Sequence, residues 1–488
     1  MRLSRLAAAA GLALPGDGDR DVTGFAIDNR KVAPGNVFGA FEGLTFDGEQ
    51  FIPAAVAAGA SAVVARPDAK VEGSAHIADP LPRRAFARLA AAFYAPFPET
   101  VVAVTGTNGK TSCVEMVRQI WRMAGHRAAS MGTLGITSHD ETAFTGMTTP
   151  DIVTFLATMS GLAREGVSHA AYEASSHGLV QFRNEGLPVA AGAFTNLSRD
   201  HLDYHAGMED YFAAKMRLFD EVVAPGGAAV IWSDDEWSDW AISHVKARGL
   251  RLLTVGEKGE TLRLLSREPG LLGQVLTLEH GGERRSVKLP LIGAYQAANA
   301  LVAAGLVLAT GGDPARTFDA LARLQPVRGR LERAALNAAG APVYVDYAHT
   351  PDALSAALDA LRPHAEGRLI VVFGAGGDRD TGKRAPMGAT AAGADVVIVT
   401  DDNPRGEEAA AIRAMVREGC PGATEIGDRR EAIAAAIAQA GPGDVVLVAG
   451  KGHEQGQVIG SGQSRVVLPF DDVAVARELA GAQGREKG

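Results

Sequence analysis

The sequence predicts an α/β protein of three domains, with a central phosphate-loop ATPase domain built on a parallel sheet. Three observations support this prediction. The 488 residues are too many for one hydrophobic core and suggest about three. Apolar strands alternate with helices along most of the chain, which is the order of a parallel sheet. An apolar strand at residues 101–105 runs directly into a glycine turn and a helix.

The first segment, residues 1–98, is predicted to form a small α/β domain. Turn-forming residues dominate positions 27–48, a helix follows at residues 51–58, and a strand follows at residues 62–65. The first 15 residues carry two arginines before an alanine-rich run. We interpret them as a short surface helix, because the run is barely apolar enough for a secretion signal.

The segment from 99 to 324 begins with the glycine turn, which reads Gly106-Thr107-Asn108-Gly109-Lys110-Thr111-Ser112. Small residues let backbone N–H groups converge on phosphate oxygens, Lys110 neutralises phosphate charge, and Thr111 offers a hydroxyl to Mg²⁺. The spacing is short, because the longer phosphate-loop pattern needs glycine where Val104 stands. Taken alone, the loop leaves a switch, a kinase and a ligase open.

Two further positions in this segment suggest metal chemistry. Glu173 is predicted just past a strand at residues 167–171, where it could be a Mg²⁺ ligand or an ordinary turn residue. Residues 200–205 hold two His and two Asp without the spacing of a zinc site, which favours an oxygen-rich Mg²⁺ site with one His. Lys215 follows on an amphipathic helix at residues 211–219, and by itself predicts a surface lysine.

The last segment, residues 325–488, repeats strand and helix, and four polar loops follow its strands at 346–351, 374–380, 401–405 and 450–454. Parallel strands present their C-terminal ends at one edge, so we expect these loops to converge on one crevice. Arg379 and Arg405 beside Asp402 and Glu454 suit a ligand with carboxylates and ammonium groups, such as an amino acid. A dinucleotide fingerprint at 374–379 is excluded, because Arg379 occupies a position that needs glycine.

The composition of the chain argues against several classes of binding partner. The net charge of −9 argues against sequence-independent nucleic-acid binding, and no apolar run is long enough to span a bilayer. Only two cysteines are present, which favours a reducing compartment. We therefore expect a cytoplasmic, monomeric protein that acts on small molecules and binds neither nucleic acid nor membrane.

A phosphate loop in one domain and an amino-acid crevice in another predict that ATP activates a carboxylate for attack by an amine. At this point the chain resembles the Mur ligase family over nearly its whole length. The resemblance rests on motifs in order along the chain: residues 27–30, 105–112, 148–150, 173–178, 181 with 183, 200–205, 214–215, 329–332, 346–349, 377–380, 402–405 and 450–454.

The resemblance implies an N-terminal domain for a uridine nucleotide, a central ATPase and a C-terminal Rossmann-like domain for the incoming amino acid. It implies ATP binding by Gly106 to Ser112 with Asn299, Arg330 and Asp346. It also implies binding of UDP-MurNAc-dipeptide by Ile27, Asn29, Thr148, Thr149, Ser175, Gln181 and Arg183.

The same resemblance implies that Lys110, Glu173, His201 and Lys215 are catalytic and that Mg²⁺ is the cofactor, with ATP as co-substrate. It makes Lys215 a carbamylated lysine, whose carbamate would hold one Mg²⁺ with Glu173 and His201, while Thr111 and Glu173 hold another. This contradicts the interpretation of Lys215 as a surface residue.

Within the family, the resemblance is to members that add meso-diaminopimelate to UDP-MurNAc-L-Ala-D-Glu. It assigns amino-acid binding to Arg379, Asp402, Asn403, Pro404, Arg405, Gly450 and Glu454, with Arg405 meeting a carboxylate that lysine lacks. Three departures from the family pattern stand at Asn29, Tyr295-Gln296 and Arg328. The alternatives are a lysine-adding ligase, which Arg405 argues against, and a nucleotide-switched binding protein, which has no need of an amino-acid crevice. A non-catalytic relative is disfavoured by the intact catalytic set.

Overall fold

The computed structural model describes residues 1–14, 19–43, 47–138, 142–143, 148–202, 204–270 and 273–486. Asp203 of the 200–205 motif therefore lies outside the described residues. Within those ranges, no helix is both long and apolar enough to cross a membrane. The architecture is mixed α/β, and the described strands form separate sheets of four, eleven and six strands and a two-stranded hairpin.

The N-terminal sheet is parallel, and its strands follow one another in chain order. Helices α1 and α3 pack together on it, and Phe25, Phe86 and Phe93 make edge and tilted ring contacts in its core. The elements are α1 (Leu3–Ala10), β1 (Gly24–Ala26), β2 (Asn36–Gly39), α2 (Ile52–Ala57), β3 (Ala62–Ala65), β4 (Ala75–Ala78) and α3 (Pro82–Tyr94).

The central sheet has the order β15-β14-β13-β12-β11-β10-β5-β9-β6-β7-β8. Strands β12, β11, β10, β5, β9 and β6 run parallel, and β13–β15 extend the sheet as an antiparallel meander. Its elements are β5 (Thr100–Thr105), α4 (Lys110–Met123), β6 (Ala128–Gly132), β7 (Gly135–Thr137), β8 (Thr142–Ala143), α5 (Ile152–Arg164), β9 (His169–Glu173), α6 (Ser176–Val180), β10 (Val189–Phe194), α7 (Met208–Arg217), β11 (Val223–Trp232), α8 (Ser238–Ala247), β12 (Arg251–Gly256), β13 (Leu262–Gly270), β14 (Gly273–His280), β15 (Glu283–Leu289), α9 (Ala294–Ala309) and α10 (Pro314–Leu321).

The C-terminal sheet has the order β16-β17-β21-β18-β19-β20 and is parallel except for β16. Apolar clusters cover both of its faces, which agrees with the continuous apolar strands Leu369–Phe373 and Val445–Ala449. Its elements, with the separate hairpin β22–β23, are β16 (Glu332–Leu336), β17 (Pro342–Asp346), α11 (Pro351–Leu361), β18 (Leu369–Phe373), α12 (Arg384–Ala391), β19 (Val396–Val399), α13 (Ala409–Arg417), β20 (Thr424–Glu425), α14 (Arg429–Gln439), β21 (Val445–Ala449), β22 (Gly456–Ile459), β23 (Val466–Pro469) and α15 (Asp472–Glu486).

The structure moves several predicted elements by a few residues. Strand β9 ends at Glu173, so this carboxylate is the last residue of the strand rather than part of the following turn. Helix α7 begins at Met208 and ends at Arg217, where one π-helical turn replaces its predicted last residues. The interpretation of Lys215 as a surface lysine is wrong, because the residue is 1% exposed. Its neighbours Ala214 and Met216 are buried as well, which amphipathic spacing alone did not reveal.

Candidate active site

The phosphate loop lies at the C-terminal edge of three adjacent parallel strands. Strand β5 is paired with β9 on one side and β10 on the other, with Val104 opposite Glu173 and Thr105 opposite Phe194. The loop between β5 and α4, the end of β9 and the segment after β10 therefore meet at one edge. This is the edge where open α/β sheets bind ligands.

The loop conformation requires glycine at two positions. Gly106 has φ of +144°, and a Cβ there would lie 1.9 Å from Oγ1 of Thr195. Gly109 has φ of +87°, and a Cβ there would lie 2.3 Å from Oδ1 of Asn299. The short spacing therefore still builds a phosphate cradle at the N-terminus of α4.

The segment after β10 holds the loop from behind. The Thr195 hydroxyl donates to the Asn108 carbonyl at 2.6 Å, and the Asn108 N–H donates to Oδ1 of Asn196 at 2.9 Å. The Ser198 N–H donates to Oγ1 of Thr107 at 3.0 Å. These contacts preorganise the cradle in the absence of a ligand.

The ammonium groups of two lysines meet at the phosphate loop: Lys110 is the first residue of α4, and Lys215 is on α7. Lys110 Nζ donates to the carbonyls of Gly106 at 2.9 Å and Thr107 at 2.7 Å. Lys215 Nζ donates to the same Gly106 carbonyl at 2.7 Å and lies 4.2 Å from the centroid of the Tyr211 ring. Burial lowers the pKa of the Lys215 amine well below its ordinary value, and the positive charge of Lys110 lowers it further.

Glu173 is a buried carboxylate, 1% exposed, at the end of β9. It accepts hydrogen bonds from the Thr133 N–H at 2.7 Å and the Thr133 hydroxyl at 3.1 Å. No Lys, Arg or His pairs with it in the part of the chain that the structure describes. A buried carboxylate without a cationic partner retains lone pairs for a metal ion.

His201 and Asp200 face the loop from the segment after β10. His201 adopts φ of +55°, and its side chain is 44% exposed, with Nε2 3.5 Å from Oδ2 of Asp200. Burial lowers the pKa of His201 to about 4, so its imidazole is neutral at physiological pH and available as a ligand. Burial acts to raise the pKa of Asp200, but His349, His201 and Lys383 outweigh it and lower the pKa to about 2.

The donor types around the loop fit Mg²⁺. Thr111 and Glu173 offer hydroxyl and carboxylate oxygens, the hard ligands that Mg²⁺ prefers. Among the described residues, no group of three or more His, Cys, Asp or Glu side chains lies close enough to hold a metal. A Mg²⁺ site here therefore needs the hydroxyl of Thr111 or a modified lysine in addition to the carboxylate.

The segment linking the central and C-terminal sheets reaches directly into the site. Arg330 donates to the Thr111 hydroxyl at 3.0 Å, and its guanidinium carbon lies 4.4 Å from the centroid of the Tyr347 ring. Asp346, at the end of β17, accepts from the Leu331 N–H at 2.6 Å and from the Tyr295 hydroxyl at 3.3 Å. The phosphate loop thus contacts the linking segment, which is in turn hydrogen-bonded to the end of β17 in the C-terminal sheet.

A cavity of about 780 Å³ lies between these elements. It brings together most of the predicted ATP and metal residues with two of the predicted dipeptide residues. They are Thr107, Asn108, Gly109, Lys110, Thr111, Ser112, Thr148, Glu173, Ser175, His201, Lys215, Asn299, Arg330 and Asp346.

A second cavity of about 460 Å³ lies beside the linking segment. Leu291, Ile292 and Tyr344 give it apolar walls, and Gln296 and Arg330 line it as well. Gln296 is 2% exposed, and its Nε2 donates to the Arg330 carbonyl at 3.0 Å. Its Oε1 is buried and has no hydrogen-bond partner among the described residues, so it retains the capacity to accept one.

The remaining predicted dipeptide residues lie outside the main cavity. Thr149, Gln181 and Arg183 form a continuous network behind Ser175: the Thr149 hydroxyl is 3.0 Å from the Ser175 hydroxyl, and Arg183 donates to the Thr149 carbonyl at 3.0 Å and to Oε1 of Gln181 at 2.6 Å. Ile27 and Asn29 follow β1 in the N-terminal sheet, and Ile27 is 37% exposed.

The four polar loops of the C-terminal sheet do converge, as the strand pattern predicts. The Gly450 N–H donates to the Asp346 carbonyl at 3.1 Å, and the Gly377 N–H donates to the Asn403 carbonyl at 2.9 Å. Asn403 Nδ2 donates to Oε2 of Glu454 at 2.9 Å. The loops that follow β17, β18, β19 and β21 thus form one connected surface.

Within these loops, the predicted amino-acid residues differ in exposure. Asp402 and Asn403 are buried, at 7% and 5% exposed, and Pro404 is buried as well. Arg405 and Glu454 are partly exposed, and Arg379 is exposed. None of these residues lines the main cavity. The partly exposed side chains are therefore those able to contact a ligand.

Residues that received no predicted role also shape the site. Lys451 is 0% exposed, and its Nζ lies 2.9 Å from Oδ1 of Asn403 and 3.2 Å from Oε2 of Glu454. Thr133 positions Glu173, and His349 lies 4.0 Å from Asp200. Lys451 and His349 belong to the polar loops 450–454 and 346–351, so the sequence could have indicated that they have a role in the site. Thr133 belongs to no motif, and nothing in the sequence indicates its role.

The fold and the site define a phosphate-loop, nucleotide-binding α/β enzyme in which a second parallel sheet contacts the nucleotide loop. Comparison with known proteins gives the family. Three family descriptions match in order: Mur ligase family, catalytic domain, over residues 21–106; Mur ligase middle domain over 104–307; and Mur ligase, glutamate ligase domain, over 329–452. The chain belongs to the Mur ligase family, whose members are ATP-dependent ligases.

The similar proteins include one from Zymomonas mobilis, a UDP-N-acetylmuramoyl-L-alanyl-D-glutamate--2,6-diaminopimelate ligase, which is 61% identical over 98% of both chains. A ligase of the same name from Bradyrhizobium diazoefficiens is 54% identical, over 94% of this chain and 95% of that one. A solved structure of a UDP-N-acetylmuramoyl-L-alanyl-D-glutamate--2,6-diaminopimelate ligase has a TM-score of 0.69 and 34% identity, over 95% of each chain.

Proposed function

We propose that this protein joins meso-diaminopimelate to UDP-MurNAc-L-Ala-D-Glu with hydrolysis of ATP to ADP and phosphate, a step in the synthesis of peptidoglycan precursors. The observation that carries the proposal is the contact of Arg330 with Thr111, at 3.0 Å. It links the phosphate loop to the sheet whose loops carry Arg405 and Glu454. The names of the relatives supply the identities of the acyl and amine substrates.

ATP binds with its phosphates on the loop Gly106 to Ser112 and its ribose near Asn299, Arg330 and Asp346. The cavity beside the linking segment suits adenine, because Leu291, Ile292 and Tyr344 form one apolar part of its lining, beside charged residues such as Arg328 and Arg330, and because the Gln296 Oε1 has no partner among the described residues. An adenine amino group would donate to that oxygen. Gln296, one of the departures from the family pattern, keeps the amide that such a contact needs.

Mg²⁺ would be held by Thr111 and Glu173, and a second ion by Glu173, His201 and a carbamylated Lys215. Bound there, Mg²⁺ neutralises charge on the phosphate oxygens. Burial lowers the pKa of the Lys215 amine and so favours its neutral form, which is the form that reacts with CO₂: its nitrogen attacks the carbon, and one proton leaves to solvent. The carbamate so formed would supply an anionic oxygen ligand in place of the buried amine.

The UDP-MurNAc-dipeptide lies across the N-terminal and central domains, taken as residues 1–98 and 99–324. Ile27 and Asn29 hold the uridine end. Thr148 and Ser175, which line the main cavity, hold the dipeptide end, and Thr149, Gln181 and Arg183 support them. This orientation brings the D-glutamyl γ-carboxylate to the front of the phosphate loop.

Meso-diaminopimelate binds on the third domain, residues 325–488. Arg405 and Arg379 meet its carboxylates, and the partly exposed Glu454 meets an ammonium group. The buried Asp402, together with Asn403, Pro404 and Gly450, shapes the loop. Burial lowers the pKa of the Arg405 guanidinium, and the neighbouring Arg379 lowers it further, so this charge is stabilised when an anion arrives. Lysine lacks the second carboxylate and would leave Arg405 unpaired.

The reaction has two steps. A γ-carboxylate oxygen attacks the γ-phosphorus of ATP, the bond to ADP breaks, and an acyl phosphate forms. The neutral amine nitrogen then attacks the acyl carbon, the bond from that carbon to the phosphate oxygen breaks, and the nitrogen loses one proton, so that an amide and inorganic phosphate are formed. Lys110 and the loop N–H groups hold the transferring phosphoryl group. The protein acts as a monomer in the cytoplasm.

An isotope experiment tests the proposal. The γ-carboxylate of UDP-MurNAc-L-Ala-D-Glu is labelled with ¹⁸O and incubated with the protein, ATP, Mg²⁺ and meso-diaminopimelate. We expect the tripeptide product, with one ¹⁸O transferred to inorganic phosphate for each amide bond. ATP hydrolysis without ¹⁸O in the phosphate, or without the tripeptide, would contradict the proposal.

A further inference from the structure

The hairpin β22–β23 stands apart from the six-stranded C-terminal sheet. Its second strand is open to solvent, with Val466 and Val467 52% and 53% exposed. Its first strand, Gly456–Ile459, instead runs beside the loop Asp402 to Arg405, with a parallel bridge between Arg405 and Ile459. The hairpin is thus joined to the loop that carries the amino-acid arginine.

Four hydrogen bonds join the hairpin to that loop. Gln457 Nε2 donates to the Asp402 carbonyl at 2.7 Å, and the Val458 N–H donates to Oδ1 of Asn403 at 2.8 Å. The backbone of Arg405 makes the other two: its N–H donates to the Val458 carbonyl at 3.1 Å, and its carbonyl accepts from the Gly460 N–H at 2.7 Å. Three of the four loop residues are therefore held by the hairpin.

The backbone of Arg405 needs such support. Its φ is +52°, a left-handed conformation that is unfavourable for a residue with a side chain and that persists only where the surroundings impose it. Its Nη1 donates to the Gly377 carbonyl at 2.8 Å, which fixes the guanidinium against the neighbouring loop. Relaxation to an extended backbone would turn the side chain away from this position.

We propose that β22 sets the position of Arg405 and thereby the choice of amino acid, and that Gln457 is the positioning residue of this contact. Gln457 donates a hydrogen bond to the carbonyl of Asp402, three residues before Arg405. It does not contact the substrate itself, but affects the choice of amino acid by keeping the Arg405 side chain in position. This inference rests on the proposed function, because it assumes that Arg405 recognises the second carboxylate of diaminopimelate.

Gln457 is a better probe of this contact than Lys451. Lys451 also joins Asn403 and Glu454, but its removal would leave the Asp402 and Glu454 carboxylates without their buried cation. Gln457 is neutral, so replacing it by Met removes one hydrogen bond at nearly constant volume. Gln439, an exposed glutamine whose Nε2 donates to the Ala435 carbonyl, offers a matched control.

The experiment compares full-length wild-type protein, Gln457→Met and Gln439→Met with meso-diaminopimelate and with L-lysine, at saturating UDP-MurNAc-L-Ala-D-Glu. We expect Gln457→Met to raise the KM for diaminopimelate about fivefold to tenfold, as the loss of one hydrogen bond predicts. The KM for ATP and the rate with lysine should stay within about twofold, so the preference for diaminopimelate falls. Gln439→Met should match the wild type.

A double-mutant cycle with Arg405→Ala tests whether Gln457 changes the amino-acid preference through Arg405. If Gln457 acts through Arg405, Gln457→Met changes the preference in the wild-type background and leaves it unchanged in the Arg405→Ala background. An equal change in both backgrounds, or no change in either, would overturn the inference. Loss of the folded state in Gln457→Met, seen in circular dichroism, would assign the hydrogen bond to stability and overturn it too. Failure of the proposed function looks different, because the wild type itself would then show no turnover with diaminopimelate.

Discussion

Lys215 and Lys110 donate to the same backbone carbonyl, that of Gly106, at 2.7 and 2.9 Å. Two ammonium groups at one carbonyl repel each other, and neither has a carboxylate ion-pair partner among the described residues. Burial lowers the pKa of both amines, with the larger effect at Lys215. The arrangement favours one charged and one uncharged lysine, and an uncharged amine is the form that CO₂ modifies.

The first prediction concerns this modification. Lys215→Ala should reduce turnover at least a hundredfold, since it removes a ligand of the second Mg²⁺, and short carboxylic acids such as formate or acetate should restore part of it by filling the vacated position. Wild-type protein in ¹³C-bicarbonate should show a carbamate signal in the ¹³C NMR spectrum that Lys215→Ala lacks. The exposed Lys246 supplies the control, and Lys246→Ala should keep both signal and activity. An active Lys215→Ala variant would refute the metal role.

The second prediction separates stability from activity at Glu173. Glu173→Gln keeps the size of the side chain and an acceptor for Thr133, but removes a buried charge that forms no ion pair among the described residues and is attracted to Lys110 only at longer range. We expect the metal-free variant to melt at a higher temperature, by the equivalent of about 1 kcal/mol. Turnover should fall by at least a hundredfold and demand more Mg²⁺. Glu165→Gln, an exposed change at the end of α5, should alter neither quantity. If the activity of Glu173→Gln depended on Mg²⁺ concentration as that of the wild type does, Glu173 would not be a Mg²⁺ ligand.

The third prediction concerns the amino-acid crevice. Arg405→Ala should raise the KM for diaminopimelate about tenfold to a hundredfold, because a hydrogen bond to a charged group contributes roughly 1.5–3 kcal/mol. The KM for ATP should change by less than about twofold. Arg465→Ala, an exposed arginine on the neighbouring hairpin, should leave both constants unchanged. Equal increases for ATP and diaminopimelate would count against a direct contact.

The fourth prediction concerns pH and His453, which is 8% exposed. Burial, together with the positive charges of Arg330 and Arg328, lowers its pKa from about 6.5 to about 3. The unfolded chain therefore takes up a proton near pH 6.5 and the folded protein near pH 3, so stability falls as the pH drops through that window. The loss is roughly 1.4 kcal/mol for each pH unit.

His453→Gln should remove this share of the acid sensitivity. Melting temperatures at pH 7.5 and pH 5 should lie closer together in His453→Gln than in the wild type. If both proteins lost the same stability between the two pH values, His453 would not be the buried neutral group described here.

Much of the fold follows from the sequence for a physical reason. The strand Val101–Thr105 is apolar throughout because both faces of a parallel sheet are covered, and Gly106 and Gly109 mark a turn that no other residue can form. Parallel strands present their C-terminal ends together, which is why the convergence of the loops after β17, β18, β19 and β21 could be predicted without knowing any contact.

The rest depends on tertiary packing, which local patterns do not encode. Lys215 has the helical spacing of a surface residue, and only the position of α7 against the phosphate loop buries it. The left-handed backbone of Arg405 and the hydrogen bond of Gln457 arise from a hairpin more than fifty residues away. Thr133, which orients Glu173, stands in a turn whose sequence carries no motif.

The most direct test of the proposed function is ADP release by the purified protein with ATP, Mg²⁺ and UDP-MurNAc-L-Ala-D-Glu, offered either meso-diaminopimelate or L-lysine. The proposal predicts rapid ADP release and tripeptide formation with diaminopimelate, and a kcat/KM for lysine lower by at least a hundredfold, since Arg405 would be left unpaired. Equal rates with the two amines, a preference for lysine, or ADP release that needs neither amine would contradict it.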